Sequence, residues 1–262
     1  MKIGITCNKL RRIEDAAKYG FDYLEVSLKW LQTLSDEELD EFEATLKKYG
    51  LTVDAMNCFF GPEVKLMGDD VDLELIRKTT RENVALAARF NPKVVVIGSG
   101  GARTLPEGFS KDKAMKIFAE VVDLAANICA EKGIRVVIEP LRHKETNFIN
   151  TILEGKEMGE YVGNPNVGCL IDFFHFYQNG EELDSIDQLE GKLIHAHLAR
   201  PNDDRLAPKP EDEPTVRLWM EKLRKIGYDE RLTLECSWKN ANSFEEEMEN
   251  VQSMLPLLRG QF

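Results

Sequence analysis

The chain has 262 residues, enough for two average domains or one α/β barrel, and its 46 acidic against 34 basic side chains leave a net charge of −12. That excess argues against a nucleic-acid surface, which needs a Lys/Arg surplus on at least one face, although local arginines can still receive a small anion. Five cysteines with no CxxC pair fit a reducing cytoplasm; no apolar signal core follows Met1 and no stretch reaches transmembrane length, so neither secretion nor membrane insertion is expected.

Ile3 to Thr6 reads as a first strand and Arg12 to Tyr19 as a helix that turns Ala16, Ala17 and Tyr19 inward before stopping at Gly20. A second strand follows at Tyr23-Leu24-Glu25-Val26. Ser35-Asp36-Glu37-Glu38 has the N-cap and acidic first turn of a helix ending near Gly50, and Leu51 to Met56 is the third strand. The aromatic loop Asn57 to Pro62 leads to an amphipathic helix over Val71 to Phe90, ended by Pro92. Phe59 and Phe60 in that loop, and Trp238 later, serve either as pocket walls or as core packing. Val94 to Ile97 is a fourth strand, buried on both faces. Beyond it, Gly98-Ser99-Gly100-Gly101 lacks the Lys and spacing of a P-loop and reads as a tight turn. Ser110 caps the next helix, which runs to about Lys132.

The second half repeats the alternation, and each of its strands ends on a group able to bind a metal. The fifth strand ends at Glu139, the sixth (Val167 to Asp172) at Asp172, the seventh (Leu193 to His197) at His197 and the eighth (Arg231 to Glu235) at Glu235. Helices are expected at Asn150 to Val162, Phe173 to Gln178, Thr215 to Ile226 and Ser243 to Leu258, with a long polar loop from Ala199 to Glu213. A short apolar run flanked by turns is a strand buried in a helix-covered parallel sheet. Three carboxylates and an imidazole at four successive buried ends call for a cation, and a mixed oxygen and nitrogen set suits Mn²⁺, Mg²⁺, Co²⁺ or Zn²⁺. Alternation puts His195 on the side of His197 but deeper, in a supporting position.

Eight strand–helix units without a Pro-rich or Gly/Ser linker predict a single α/β domain over residues 1–262, a (β/α)8 TIM barrel with its site at the C-terminal strand ends. A doubly wound open sheet shares the alternation, but it would bring four successive strand ends to one point poorly.

Ile138-Glu139-Pro140-Leu141 with Glu145-Thr146-Asn147, then Asp172-Phe173-Phe174-His175, His195-Ala196-His197 and Leu234-Glu235 carry a further reading. With them the chain resembles, over nearly its whole length, the xylose-isomerase-like TIM barrels, a sugar-phosphate isomerase and epimerase superfamily that includes the ketose 3-epimerases. The resemblance implies that Glu139, Asp172, His197 and Glu235 bind one divalent ion, Mn²⁺ foremost. It implies that Glu139 and Glu235 act as base and acid on a proton beside a carbonyl, through a metal-stabilised cis-enediolate. His175 and Glu145 match positions that hydrogen-bond a sugar substrate, and a homodimer or homotetramer is expected.

After His197 the family pattern of Gly-Glu followed by Arg is replaced by Leu198-Ala199-Arg200-Pro201-Asn202-Asp203-Asp204-Arg205. Arg205 then matches the family's substrate-contacting Arg, displaced by inserted residues, and Arg200 stands where Glu is expected. Together with Arg103 these arginines could place positive charge for a carboxylate or phosphate instead of a free ketohexose. Two other outcomes fit the same scaffold: a metal-dependent dehydratase of a cyclitol or polyol, and a sugar-binding barrel without catalysis. A DNA-repair endonuclease needs more histidines than the four present.

Overall fold

The computed structural model describes residues 1–202, 204–238 and 244–261. Its elements begin with β1 (Lys2–Cys7), α1 (Arg11–Tyr19), β2 (Tyr23–Ser27), α2 (Leu28–Leu31), α3 (Asp36–Tyr49), β3 (Val53–Asn57) and α4 (Leu73–Ala88). They continue with β4 (Val94–Ile97), α5 (Gly100–Arg103), α6 (Lys111–Ala130), β5 (Arg135–Ile138), α7 (Ile152–Val162), β6 (Val167–Asp172) and α8 (Phe173–Gln178). The last are β7 (Leu193–Leu198), α9 (Glu213–Lys225), β8 (Arg231–Leu234) and α10 (Phe244–Leu258). All strands run parallel in the order β1 to β8, and β8 pairs back onto β1 through Ile3 opposite Leu232, closing the barrel.

The expected helix start at Ser35 is a full capping box, with Glu38 N–H on the Ser35 hydroxyl and the Glu38 carboxylate on Ser35 N–H. The helix α4 begins at Leu73, two residues inside the expected Val71 start, because the Asp72 carboxylate caps it by accepting from the N–H groups of Glu74 and Leu75. Glu139 and Glu235 stand one residue past their strands instead of ending them. The stretch after Gly98 folds as the short helix α5, not only a turn, with Ser99 in the left-handed region at φ 45. Sequence periodicity also missed α2 and the 3-10 turn Leu183–Leu189, which are too short to show a period. The expected start of the closing helix at Ser243, and Asp203 in the long loop, lie outside the described residues.

Most of the core lies between barrel and helices. A separate cluster drawn from β2 through β7, including Tyr23, Ala55, Val96, Val137 and Leu170, fills the barrel interior. Gly4 makes room for it: a Cβ there would stand 2.3 Å from the Tyr23 ring. Above this plug the filling turns polar, as Tyr23 Oη meets Thr233 Oγ1 at 2.7 Å, and Thr233 donates to Glu25 at 2.7 Å. The interior thus changes from apolar to charged towards the C-terminal strand ends. All five cysteines are free, and among the described residues no helix is long and apolar enough to cross a membrane.

Candidate active site

The closed barrel carries β5 to β8 around one point, and Glu139, Asp172, His197 and Glu235 arrive there with ligand atoms within 4.8 Å of one another. His197 Nδ1 lies 3.0 Å from Glu139 Oε1 and 3.1 Å from Glu235 Oε2. Asp172 adds its Oδ2 to the cluster while its Oδ1 accepts from Phe174 N–H at 2.7 Å and caps α8. Glu139 is 6% exposed, Asp172 2% and His197 fully buried, whereas the Glu235 side chain keeps 23%. So the cluster is reached from the Glu235 side.

Backbone geometry makes the space. A Cβ at Gly98 would stand 2.2 Å from Glu139 Oε2, so any larger residue there displaces that carboxylate. Burial, with Glu235 and Asp172 nearby, raises the Glu139 carboxyl above its ordinary value despite its contact with His197. Burial acts the same way on Glu235, but Arg205 and His197 outweigh it and hold that carboxyl down.

Glu25 is the residue that the sequence reading passed over. It sits in the middle of β2, fully buried, beside a register shift against β3 between Leu24 and Glu25. Its carboxylate meets His195 Nε2 at 2.7 Å and His197 Nε2 at 3.0 Å. Burial alone would raise its pKa, yet the two imidazoles hold it well below the usual carboxylate range. A charge in the middle of an otherwise apolar strand is the signal in the sequence that could have found it. His195 takes the deeper supporting position expected of it, touching Glu25 and, at 3.4 Å, Thr233.

Arg205 reaches into the cluster from the long loop, at φ 54. Its Nη2 donates to Asp172 Oδ2 at 2.8 Å and to Glu235 Oε2, its Nε to the Glu235 carbonyl at 3.2 Å, and its guanidinium lies 4.9 Å from the Phe174 ring centre. His175 Nε2 is 3.2 Å from Arg205 Nη1 and 3.5 Å from Asp172 Oδ2, and its Nδ1 accepts from Arg142 N–H. Glu145 stays outside the four-residue cluster, paired with Arg142 Nε at 2.7 Å.

Two expected cations are corrected. Arg103 is fully buried and gives its guanidinium to the carbonyls of Gly98, Phe148, Ile149 and Glu139, leaving nothing for a substrate. Burial pulls it down to about 10, against Glu139. Arg200 faces Asp212 at 3.4 Å and Asp204 at 3.9 Å, away from the cluster residues. Phe59 and Phe60 stack edge to face at 4.9 Å within the core, so packing explains them.

A cleft of roughly 620 Å³ leads to the cluster and is lined by Glu235, Arg205, Asn57, Ser27 and the segment after β1. Asn57 Nδ2 donates to Glu235 Oε1 at 3.2 Å. A larger hollow of about 790 Å³ opens among Gly168, Lys192 and Glu230 at the N-terminal strand ends, and no cluster residue lines it. Chemistry, not size, selects the first. Three carboxylate oxygens and one imidazole nitrogen form a donor set for a divalent cation, and the Arg205 guanidinium already bridges two of the acids as a cation would. The residues fit such an ion.

Fold and site together define a (β/α)8 barrel with an acid–imidazole cluster at its C-terminal mouth. The family model described as "Xylose isomerase-like TIM barrel" matches residues 13–257, and the chain belongs to that family. It is similar to the inosose isomerase of Bacillus velezensis, 23% identical with 87% of this chain and 83% of that one covered. It is also similar to the D-psicose 3-epimerase of Ruminiclostridium cellulolyticum, 27% identical with 85% and 76% covered. A crystal structure of D-psicose 3-epimerase in the presence of D-fructose shares the fold at a TM-score of 0.83, with 20% identity and 99% of both chains covered.

Proposed function

We propose that the chain is a divalent-metal-dependent sugar isomerase or epimerase that moves a proton on carbon beside a carbonyl. The observation that carries this reading is the meeting of Glu139 and Glu235 on one imidazole nitrogen, at 3.0 and 3.1 Å, beside Asp172. Glu139, Asp172, His197 and Glu235 would hold the ion, which when bound supplies a Lewis acid for charge developing on the carbonyl oxygen; Mn²⁺ is the first choice. The relatives named as an inosose isomerase and a D-psicose 3-epimerase support the class.

The protein's own groups do the rest. One glutamate takes the proton from the carbon next to the carbonyl, and the electron pair moves onto oxygen to give an enediolate. The other returns a proton. Delivery to the opposite face of the same carbon epimerises it, and delivery to the neighbouring carbon, with the hydroxyl proton passing from one enediolate oxygen to the other, interconverts ketose and aldose. His175, Arg205 and Glu145 stand around the cluster and its rim to bind sugar hydroxyls, and Glu235, open to the cleft, can exchange its proton with solvent between turnovers. Manganese-loaded protein incubated in D₂O with ketoses, aldoses and acidic sugars should place deuterium on carbon at one position without loss of mass. Loss of water would mark a lyase, and a panel that takes up no deuterium would rule the proposal out.

A further inference from the structure

Of the arginines that the sequence offered for an anion, Arg103 and Arg200 are engaged elsewhere and Arg205 is held by Asp172 and Glu235, but the cleft has another. Arg12, in the first turn of α1, is 3% exposed and lines the same cleft as Glu235 and Arg205. Its guanidinium lies 4.3 Å from the Phe244 ring centre and 5.2 Å from that of Trp238, which holds it in place from α10 and from the segment after β8. Among the described residues, neither its Nε nor its Nη1 has a hydrogen-bond acceptor. Asp15 Oδ2 stands 4.0 Å from Nη1, at the limit of an ion pair, and Glu247 on α10 adds a weaker electrostatic pull.

Such a cation is costly to keep. Desolvation opposes the charge, and contact with two aromatic faces offsets only part of that cost. Arg103, equally buried, satisfies its donors with carbonyls; Arg12 leaves two of its own open. Lys9, three residues earlier, is exposed on the wall of this cleft, with no ion-pair partner among the described residues. Asn8 and Ser237 complete the polar wall. Two cations with open donors on one wall, and the acid cluster on another, describe a substrate with a charged end and a reacting end.

We propose that Arg12 and Lys9 form an anion subsite, and that the substrate is a sugar carrying a carboxylate or phosphate on a carbon remote from the one that exchanges its proton. This rests on reading the cluster as the sugar-converting site. Planar guanidinium suits either oxyanion as a paired donor, and the ammonium adds a point charge. A purely structural Arg12, bracing α1 against α10, would influence stability but not the charge preference of a ligand.

The test uses manganese-loaded full-length protein and three probes with a common ketose head: D-fructose, D-fructose 6-phosphate and D-fructuronate. Calorimetric titration should show one charged probe binding about tenfold or more tightly than D-fructose, and the identity of that probe separates phosphate from carboxylate. Lys9→Ala and Arg12→Met should each reduce the preference several-fold, Arg12→Lys should keep part of it, and added salt should shrink it. Lys9 is exposed, so its variant remains informative if Arg12→Met fails to fold. Equal binding of the three probes, or a preference that survives both substitutions, overturns the subsite. Deuterium uptake with no charge preference would remove the subsite alone; a charge preference dependent on Arg12 and Lys9 without uptake on any probe would keep it and remove the sugar-converting reading.

Discussion

Glu25 and His197 meet across the barrel, with Glu25 Oε1 on β2 lying 3.0 Å from His197 Nε2 on β7. The Glu25 carboxylate accepts from Nε2–H, with Oε2 at 3.1 Å, and turns Nδ1 towards Glu139 and Glu235. Burial alone would lower the imidazole, but Glu25, Glu235 and Glu139 hold it protonated well above its ordinary range, so Nδ1–H donates to the two glutamates until an ion replaces that proton. The ring is thereby oriented for an ion before one arrives. Glu25→Gln should weaken Mn²⁺ binding by about 10–100-fold with the far-ultraviolet spectrum unchanged. Calorimetric titration with Mn²⁺ checks this, and an unaltered Kd would reduce Glu25 to packing.

Glu139→Gln and Glu235→Gln each remove a proton carrier and a ligand oxygen while keeping shape. Each should lower deuterium exchange on a turned-over sugar by about 10²–10⁴ and weaken metal binding, with the barrel still folded. Full activity in either variant would exclude that glutamate from proton transfer.

Chelation offers a test that does not depend on turnover. An ion bound only by the folded chain stabilises it by RT ln(1 + [L]/Kd), about 2.7 kcal/mol at one hundred times Kd. EDTA should therefore lower the unfolding temperature, and Mn²⁺ should restore it. The stripped protein should stay folded, because Arg205 already balances Asp172 and Glu235. A melting curve indifferent to both additions would argue against an ion in the cluster.

Glu181 sets a pH dependence away from the cluster. Burial, with Glu154 nearby, raises its carboxyl from 4.5 to about 7 even though it accepts from Ile152 N–H. Between those values the folded chain binds the proton that the unfolded chain releases, so this group's contribution falls as pH rises from 4.5 to 7. Above pH 7 the full penalty applies. Glu181→Gln should therefore stabilise the protein at pH 8 by about 1 kcal/mol, allowing for partial exposure, and have little effect at pH 4. Urea unfolding at both values measures it, and equal shifts would contradict the assignment.

The barrel was legible because a strand covered on both faces must be a short apolar run, as at Val94 to Ile97, and eight of them alternate with helices. The four acid and imidazole positions were legible because an ionisable group closing such a run has no apolar explanation. Glu25 was not, since a charge within a strand looks like an outward residue until the closed sheet turns it inward. Arg12 was missed, and Arg103 was given to an anion instead of to backbone carbonyls, for a related reason. Pattern places an arginine on a helix or in a loop, but whether its donors end on carbonyls, carboxylates or nothing is decided by neighbours distant in the chain.

The closed strand order has a further consequence. Glu139, Asp172, His197 and Glu235 come from one semicircle of the mouth, β5 to β8, while Lys9 and Arg12 follow β1 on the other. Under the proposed reading a charged group would therefore be met from the β1 side of the rim, while the reacting carbon and its hydroxyls stay with the β5 to β8 side, so the segment after β1 is where a change of substrate charge would be written with least disturbance to the cluster.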